Sequence, residues 1–107
     1  MQKDCVFCKI VKGEIPAQKE AETENLIAFK DINPKAPIHI LIVPKKHIKD
    51  ISEDNGVLWA SIGGLAKKIA REKNAKGFRL VHNAGDASLV KHMHVHFLAE
   101  VAADREI

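Results

Sequence analysis

Three histidines alternate with apolar residues near the C-terminal end of the sequence, at positions 92, 94 and 96. Because side chains of a β-strand point alternately to its two faces, a strand here projects all three imidazoles from one face. Met93, Val95 and Phe97 then occupy the other face. Imidazoles bind metals, transfer protons and attack phosphorus, so the pattern indicates a site for a metal or for an anion such as phosphate.

The residues alone leave three interpretations of this cluster open. The histidines are surface residues without a role, or they hold a catalytic zinc ion that activates water, or one of them attacks phosphorus. In the third case, one nitrogen of that imidazole is the nucleophile, and the other donates to a carbonyl that fixes the tautomer. Its neighbours would stabilise phosphate charge and handle protons. His39 is expected to be their companion from a central strand, whereas His82 is expected to be structural.

A second set of candidate ligands begins at the N-terminus, where Cys5 and Cys8 form a C-x-x-C motif. This spacing is common among zinc ligands, and two imidazoles would complete a tetrahedral site. His47 and His92 are the candidates for those positions. The alternatives are a redox pair or two buried thiols. A redox motif is expected within a βαβ unit, which the surrounding pattern does not resemble.

Two turn-forming stretches carry further polar candidates. Asp31 follows an apolar segment, and its default role is to cap the turn that begins there. Its functional role would be to accept hydrogen bonds from two vicinal hydroxyls, as on a ribose. The stretch from Asn83 to Asp86 predicts a turn that can present backbone N–H groups to an anion.

Periodicity and turn residues predict the elements that position these groups. Leu58, Ile62, Leu65 and Ile69 form one apolar stripe of a helix over residues 54–74. Short links between the strands predict an α+β fold: an antiparallel sheet of about five strands, one main amphipathic helix and a short N-terminal helix. The short helix is predicted at 5–11, and strands are predicted at 26–32, 38–43, 78–81 and 90–101.

Composition narrows the class of protein. The chain has 107 residues, of which 46% are hydrophobic and 29% charged, and residues 1–107 are expected to form a single domain. No apolar stretch predicts a membrane span or an export signal, so a cytoplasmic protein is expected. The net charge of +3 comes with scattered lysines, which favours a small anionic ligand over polymeric nucleic acid or a membrane.

Three segments, in this order, resemble the histidine triad (HIT) superfamily and specifically its Hint-like branch. They are residues 5–16, residues 28–48, and His92-x-His94-x-His96. The resemblance implies a compact α+β protomer, usually a homodimer whose sheets join across the interface. In family members with C-x-x-C, it also implies a structural zinc ion held by residues matching Cys5, Cys8, His47 and His92.

The same resemblance implies binding of a purine nucleotide and hydrolysis at its α-phosphate, as in nucleoside 5'-phosphoramidates. His94 would be the nucleophile and form a nucleotidyl-histidine intermediate, while His96 and His39 would contact phosphate oxygens and handle protons. Asp31 would hold the ribose hydroxyls, and Asn83 would lie near the phosphate and the leaving group. The residues implied to line the base are Phe7, Ile10, Phe29 and Ile32.

One loop departs from the family pattern. Where the family has Gly-Gln-Ser-Val or a close variant, this chain has Ala87-Ser88-Leu89-Val90, in a loop about two residues shorter. Ser88 would partly replace the missing polar groups near the phosphate, whereas the side chain of Leu89 cannot hydrogen-bond. The departure makes a zinc-stabilised nucleotide-binding or interaction module with little activity one alternative. A dinucleoside polyphosphate hydrolase is another.

Overall fold

The computed structural model describes residues 4–105 and residue 107. The expected α+β architecture is confirmed, with a five-stranded antiparallel sheet, one main helix and a short N-terminal helix. In chain order the elements are α1 (Val6–Val11), β1 (Lys19–Glu22), β2 (Leu26–Lys30), β3 (Ile38–Pro44), α2 (Val57–Glu72), β4 (Phe78–His82) and β5 (Val95–Ala99). Two 3-10 turns lie at Ile51–Glu53 and Gly85–Ala87.

The sheet brings distant histidines together through its strand order, β1-β2-β3-β5-β4. Strand β3 lies in the middle, as its β-branched run between two prolines predicts. Its pairing with β5 places His39 opposite Leu98 and Leu41 opposite His96. His39 and His96 are therefore diagonal neighbours on one face of the sheet, although 57 residues separate them in the chain.

The other face of the sheet packs against α2 and forms the main apolar core. The predicted stripe of α2 is confirmed: Ile62, Leu65 and Ile69 are buried, and Leu58 packs partly buried against them. Burying such a stripe is the main source of stability for a helix of this length. Among residues 4–105, no helix is long and apolar enough to cross a lipid bilayer.

A smaller apolar cluster on the histidine-bearing face holds α1 against the sheet. It contains Phe7, Ile27, Phe29, Leu41 and Val43. The helix begins with a side-chain cap, because the Sγ atom of Cys5 accepts a hydrogen bond from the Cys8 N–H at 3.4 Å. This arrangement fixes both cysteines close to the end of β3.

The sequence analysis missed one strand, and one predicted strand is shorter than expected. The segment Lys19–Glu22 forms an edge strand that its polar residues did not indicate, and β5 begins at Val95 rather than at residue 90. Before Val95 the chain bonds elsewhere, since the Met93 N–H donates to the Ile48 carbonyl at 2.8 Å. The alternation of faces nevertheless continues outside the strand, and Met93 is fully buried in the core beside α2.

Candidate functional site

The structure brings Cys5, Cys8, His47 and His92 together, as predicted. Cys8 Sγ lies 3.3 Å from His47 Nδ1 and 3.5 Å from His92 Nδ1. The two Nδ1 atoms are 3.1 Å apart, and Cys5 Sγ lies 3.3 Å from His92 Nδ1. Tetrahedral coordination with bonds of about 2.0–2.3 Å separates ligand atoms by about 3.3–3.8 Å, close to these distances. The four residues form a possible metal site.

The protonation of His92 also suits a metal ligand. Its Nε2–H donates to the Pro44 carbonyl at 2.8 Å, which leaves a lone pair on Nδ1 toward both sulfur atoms. Burial lowers the pKa of His92, so the neutral, metal-binding form is favoured. Burial raises the pKa of the Cys5 thiol. A bound cation would counter that effect by stabilising the thiolate.

His94 has the opposite arrangement. Its Nδ1–H donates to the His92 carbonyl at 2.8 Å, so the lone pair lies on Nε2. Burial lowers the pKa of His94 and favours the neutral imidazole. A neutral imidazole with a fixed tautomer and a free Nε2 lone pair is suited to nucleophilic attack.

His39 and His96 form a hydrogen-bonded pair beside it, with His39 Nε2 at 2.9 Å from His96 Nδ1. The Lys35 N–H donates to His39 Nδ1 at 2.9 Å, so in the neutral pair His39 donates from Nε2 to His96. His96 then carries its own proton on Nε2. Asp31 Oδ2 lies 3.4 Å from His39 Nε2. Burial lowers the pKa of both histidines, and the Asp31 charge opposes that shift.

These groups lie around a cavity of about 610 Å³, a size typical of small-molecule sites. Its lining includes several residues that the sequence singled out: Phe7, Asp31, His39, Asn83, His94 and His96. Lys35 and Arg105 also line it, and both are suited to an anionic ligand. Single basic side chains form no sequence motif, so the sequence analysis did not identify these two residues.

Other predicted ligand contacts lie outside this cavity. Phe29 is buried beside Phe7, with ring centroids 5.9 Å apart, and Ile10 packs partly buried against the same cluster. Ile32 is 92% exposed and borders a second cavity of about 520 Å³. Asp31 borders both cavities. Its Oδ1 accepts from the Asn33 N–H at 2.8 Å, which is the turn-capping role that the sequence indicated.

The loop at residues 87–90, which departs from the family pattern, keeps its polar side chain out of the cavity. Ser88 is buried, and its hydroxyl donates to the Val90 carbonyl at 2.7 Å. The side chains of Ala87, Leu89 and Val90 line the cavity instead, and Leu89 is fully exposed. This side of the cavity is therefore apolar.

Asp50 anchors the same loop, a role that the sequence did not suggest. The residue is buried, and its Oδ2 accepts from the Gly85 N–H at 2.8 Å. Its Oδ1 accepts from the N–H of Ser52 at 2.9 Å. Hydrogen bonds from the Ser52 side chain and from the Gly85 and Ser52 N–H groups lower the pKa of Asp50 to about 2. The Asp50 carboxylate thus holds the loop beside the cavity through hydrogen bonds that favour its charged form.

The structure does not bring the three alternating histidines to one metal ion. His92 faces the cysteines, whereas His94 and His96 face the cavity. The Phe7 ring lies between, with its centroid 5.8 Å from that of His92 and 5.0 Å from that of His94. The interpretation of all three as ligands of one catalytic zinc ion is therefore wrong.

Residues 4–105 match the protein family described as "Scavenger mRNA decapping enzyme C-term binding". An uncharacterized HIT-like protein of Methanocaldococcus jannaschii is 37% identical over 108 residues, covering 96% of this chain and 84% of that protein. An adenosine 5'-monophosphoramidase of Schizosaccharomyces pombe is 38% identical over 96 residues, covering 88% of this chain and 72% of that protein.

Solved structures of similar sequence share the fold. A HIT family hydrolase from Clostridium thermocellum has a TM-score of 0.94 at 41% identity, covering 100% of this chain and 99% of that chain. A histidine triad protein from Clostridium difficile has a TM-score of 0.92 at 39% identity, again covering 100% and 99%.

Proposed function

The chain belongs to the histidine triad superfamily, and on this premise we propose that it is a hydrolase acting at the α-phosphate of purine nucleotides. Nucleoside 5'-phosphoramidates are the proposed substrates, as the name of the Schizosaccharomyces pombe relative suggests. The main supporting observation is the environment of His94. Its imidazole is buried, and its Nδ1–H donates to a main-chain carbonyl. It lines a cavity together with the hydrogen-bonded pair His39 and His96.

The position of Asp31 suggests how the nucleotide lies. Its carboxylate borders both cavities and can accept hydrogen bonds from the ribose hydroxyls between them. The phosphate would then lie beside His94 and Asn83, and the base would cover the exposed side chain of Ile32. In this arrangement Phe7 remains a candidate contact of the nucleotide. Ile10 and Phe29 instead support the site by packing in the same apolar cluster as Phe7.

The proposed reaction has two steps. In the first, a bond forms between His94 Nε2 and phosphorus, and the bond from phosphorus to the leaving amine breaks. The His39–His96 pair acts in its singly protonated, cationic form and gives that proton to the departing nitrogen. In the second step, water attacks phosphorus, the bond to Nε2 breaks, and a proton from water returns to the pair. The products are the nucleoside monophosphate and the free amine, and His94 is regenerated.

We propose zinc for the possible metal site and a structural role for it. Two thiolates and two imidazoles are a common ligand set for zinc, and four protein ligands leave no open position for a substrate. The residues link α1 to the segment that precedes β5. A zinc ion bound there would stabilise the fold, and the proposed reaction uses none of these four side chains.

Assembly and location are further parts of the proposal. Strand β4 lies at an edge of the sheet, and its Phe78 and Leu80 are exposed. These features support a homodimer whose sheets join at β4. Thiols that serve as metal ligands suit a reducing compartment, which supports the cytoplasm.

A binding module with little activity is the second candidate, because the loop side of the cavity is apolar. Such a surface offers no side-chain hydrogen bond to a leaving group. A polyphosphate leaving group would be the poorest match for it, so a dinucleoside polyphosphate hydrolase is a less favoured version of the enzyme.

One experiment separates these functions. Purified protein and His94→Ala are mixed with adenosine 5'-phosphoramidate, release of AMP is followed, and AMP affinity is measured by calorimetry. The enzyme proposal predicts release by the wild type and a loss of about 10³-fold or more in the variant, with AMP still bound. Binding of AMP without release by the wild type would favour the binding module.

A further inference from the structure

His82 belongs neither to the proposed metal site nor to the groups that the proposed reaction uses, and it lies behind the nucleophile. In the β4–β5 pairing it is opposite Val95, whose side chain belongs to the core beside α2. Directly paired residues share a face, so His82 lies on the α2 face of the sheet, away from the cavity. Its ring centroid is 5.9 Å from that of Trp59 on α2.

Two hydrogen bonds fix the tautomer of His82. Its Nδ1 lies 2.9 Å from the carbonyl oxygen of His94, and the Ile51 N–H donates to its Nε2 at 3.1 Å. A carbonyl can only accept and a main-chain N–H can only donate, so both bonds form together with a proton on Nδ1 and a lone pair on Nε2. Neutral His82 thus connects the main chain of His94 to the 3-10 turn at Ile51–Glu53.

This connection acts on the main chain of the nucleophile itself. His94 lies just before β5, which begins at Val95. The orientation of the peptide that follows His94 sets the direction of its Cα–Cβ bond and therefore the position of Nε2. An error of about 1 Å in such a position can reduce a rate about 10²-fold. The Asp50 carboxylate anchors the 3-10 turn at Ile51–Glu53 by accepting from the Ser52 N–H, and it also holds the loop at Gly85.

We propose that His82 is a positioning residue for the nucleophile: its Nδ1–H holds the His94 carbonyl and thereby directs His94 Nε2 toward phosphorus. The inference rests on the proposed function. It assigns His82 no contact with the substrate, because its ring lies on the opposite face of the sheet from the cavity.

Asparagine and glutamine separate the two hydrogen bonds of His82. His82→Asn places an amide nitrogen near the position of Nδ1, where it can donate to the His94 carbonyl. His82→Gln places an amide oxygen near the position of Nε2, where it can accept only from the Ile51 N–H. His82→Leu removes both bonds. Trp59→Phe is the matched control, because it alters packing around the ring and removes neither bond.

We expect His82→Asn and Trp59→Phe to keep kcat for adenosine 5'-phosphoramidate within about threefold of the wild type. In His82→Gln and His82→Leu, kcat should fall about tenfold or more, with KM nearly unchanged, since the lost bond orients the nucleophile. Nitrogen NMR of the AMP-bound protein should show altered His94 imidazole shifts in the Gln and Leu variants but not in the Asn variant.

The inference would be overturned by unchanged kcat in His82→Gln and His82→Leu, or by equal losses in the Asn and Gln variants. A lower melting temperature with unchanged kcat would make His82 merely structural and would also overturn it. Absence of hydrolysis by the wild type would contradict the proposed function instead. The His94 shifts would then decide whether His82 positions that imidazole.

Discussion

The two histidine clusters on one face of the sheet differ in what surrounds the ring nitrogens that carry a lone pair. Around Cys5 and Cys8, four protein ligand atoms lie together, which is the number that completes a tetrahedral metal site. His94 and His96 instead line a cavity that admits a small molecule. Four protein ligands around one ion are typical of structural zinc sites, whereas catalytic zinc sites keep one position open.

The difference arises because the imidazoles of His92 and His94 donate hydrogen bonds to different main-chain carbonyls. His92 donates from Nε2 to the Pro44 carbonyl and so directs the lone pair of Nδ1 toward the two cysteines. His94, two residues later, donates from Nδ1 to His92 and so offers Nε2 to the cavity. Two histidines only two residues apart thus adopt opposite neutral tautomers. Phe7 separates the two clusters and touches an imidazole of each.

The largest expected effect comes from breaking the four-ligand cluster with Cys8→Ser or a chelator. Metal bound only by the folded state stabilises it by about 4 kcal/mol when its free concentration is a thousandfold above Kd. Urea unfolding with and without zinc should show this difference for the wild type and a much smaller one for Cys8→Ser. If a chelator stopped hydrolysis while circular dichroism showed an intact fold, the metal would take part in the reaction. That result would contradict the proposal of a structural metal site separate from the catalytic cavity.

A smaller effect is expected from Asp31→Asn, which weakens the acceptor proposed for the ribose. We expect KM to rise about 10- to 100-fold with little change in kcat, because a charged hydrogen-bond acceptor becomes a neutral one. Repeating the assay with a 2'-deoxy substrate tests the assignment. The wild type should lose affinity for that substrate, while the variant should lose little more. Equal losses in both proteins would place the ribose elsewhere.

The smallest effect concerns pH and the His39–His96 pair. Burial lowers the pKa of both groups in the folded state, so the unfolded chain takes up their protons first. Stability is therefore greatest above the unfolded pKa of about 6.5 and falls as the pH drops toward the lower folded values. Each group contributes at most about 1.4 kcal/mol per pH unit.

Urea unfolding at pH 7.5, 6.5 and 5.5 checks this prediction. His96→Gln keeps a polar side chain but cannot take up a proton, so its stability should depend less steeply on pH than that of the wild type. His39→Gln should behave similarly. Identical slopes for the wild type and both variants would show that the pair does not control the acid response.

The sequence predicted what depends on local periodicity. The stripe of α2 and the alternation of Met93 with its histidine neighbours follow from 3.6- and 2-residue periods, and both appear in the structure. The polar edge strand at Lys19–Glu22 has no such period, because neither of its faces is fully buried. Its pairing with β2 therefore could not be predicted from its own residues.

Long-range polar partnerships were the least predictable part of the site. Asp50 bonds Gly85 35 residues away, and the Ile51 N–H bonds His82 31 residues away. Such pairs leave no spacing pattern, because the fold alone brings them together. Ser88 was expected to face the ligand, yet its hydroxyl bonds its own loop, a local competition that side-chain hydroxyls often win.

Intact-protein mass spectrometry after a rapid neutral quench tests the central claim most directly. Wild type and His94→Ala are each mixed with adenosine 5'-phosphoramidate, and any modified residue is located by peptide mapping. The account predicts a transient adenylyl adduct on His94 of the wild type and none in the variant. An adduct on another residue, or AMP release by His94→Ala at the wild-type rate, would contradict it.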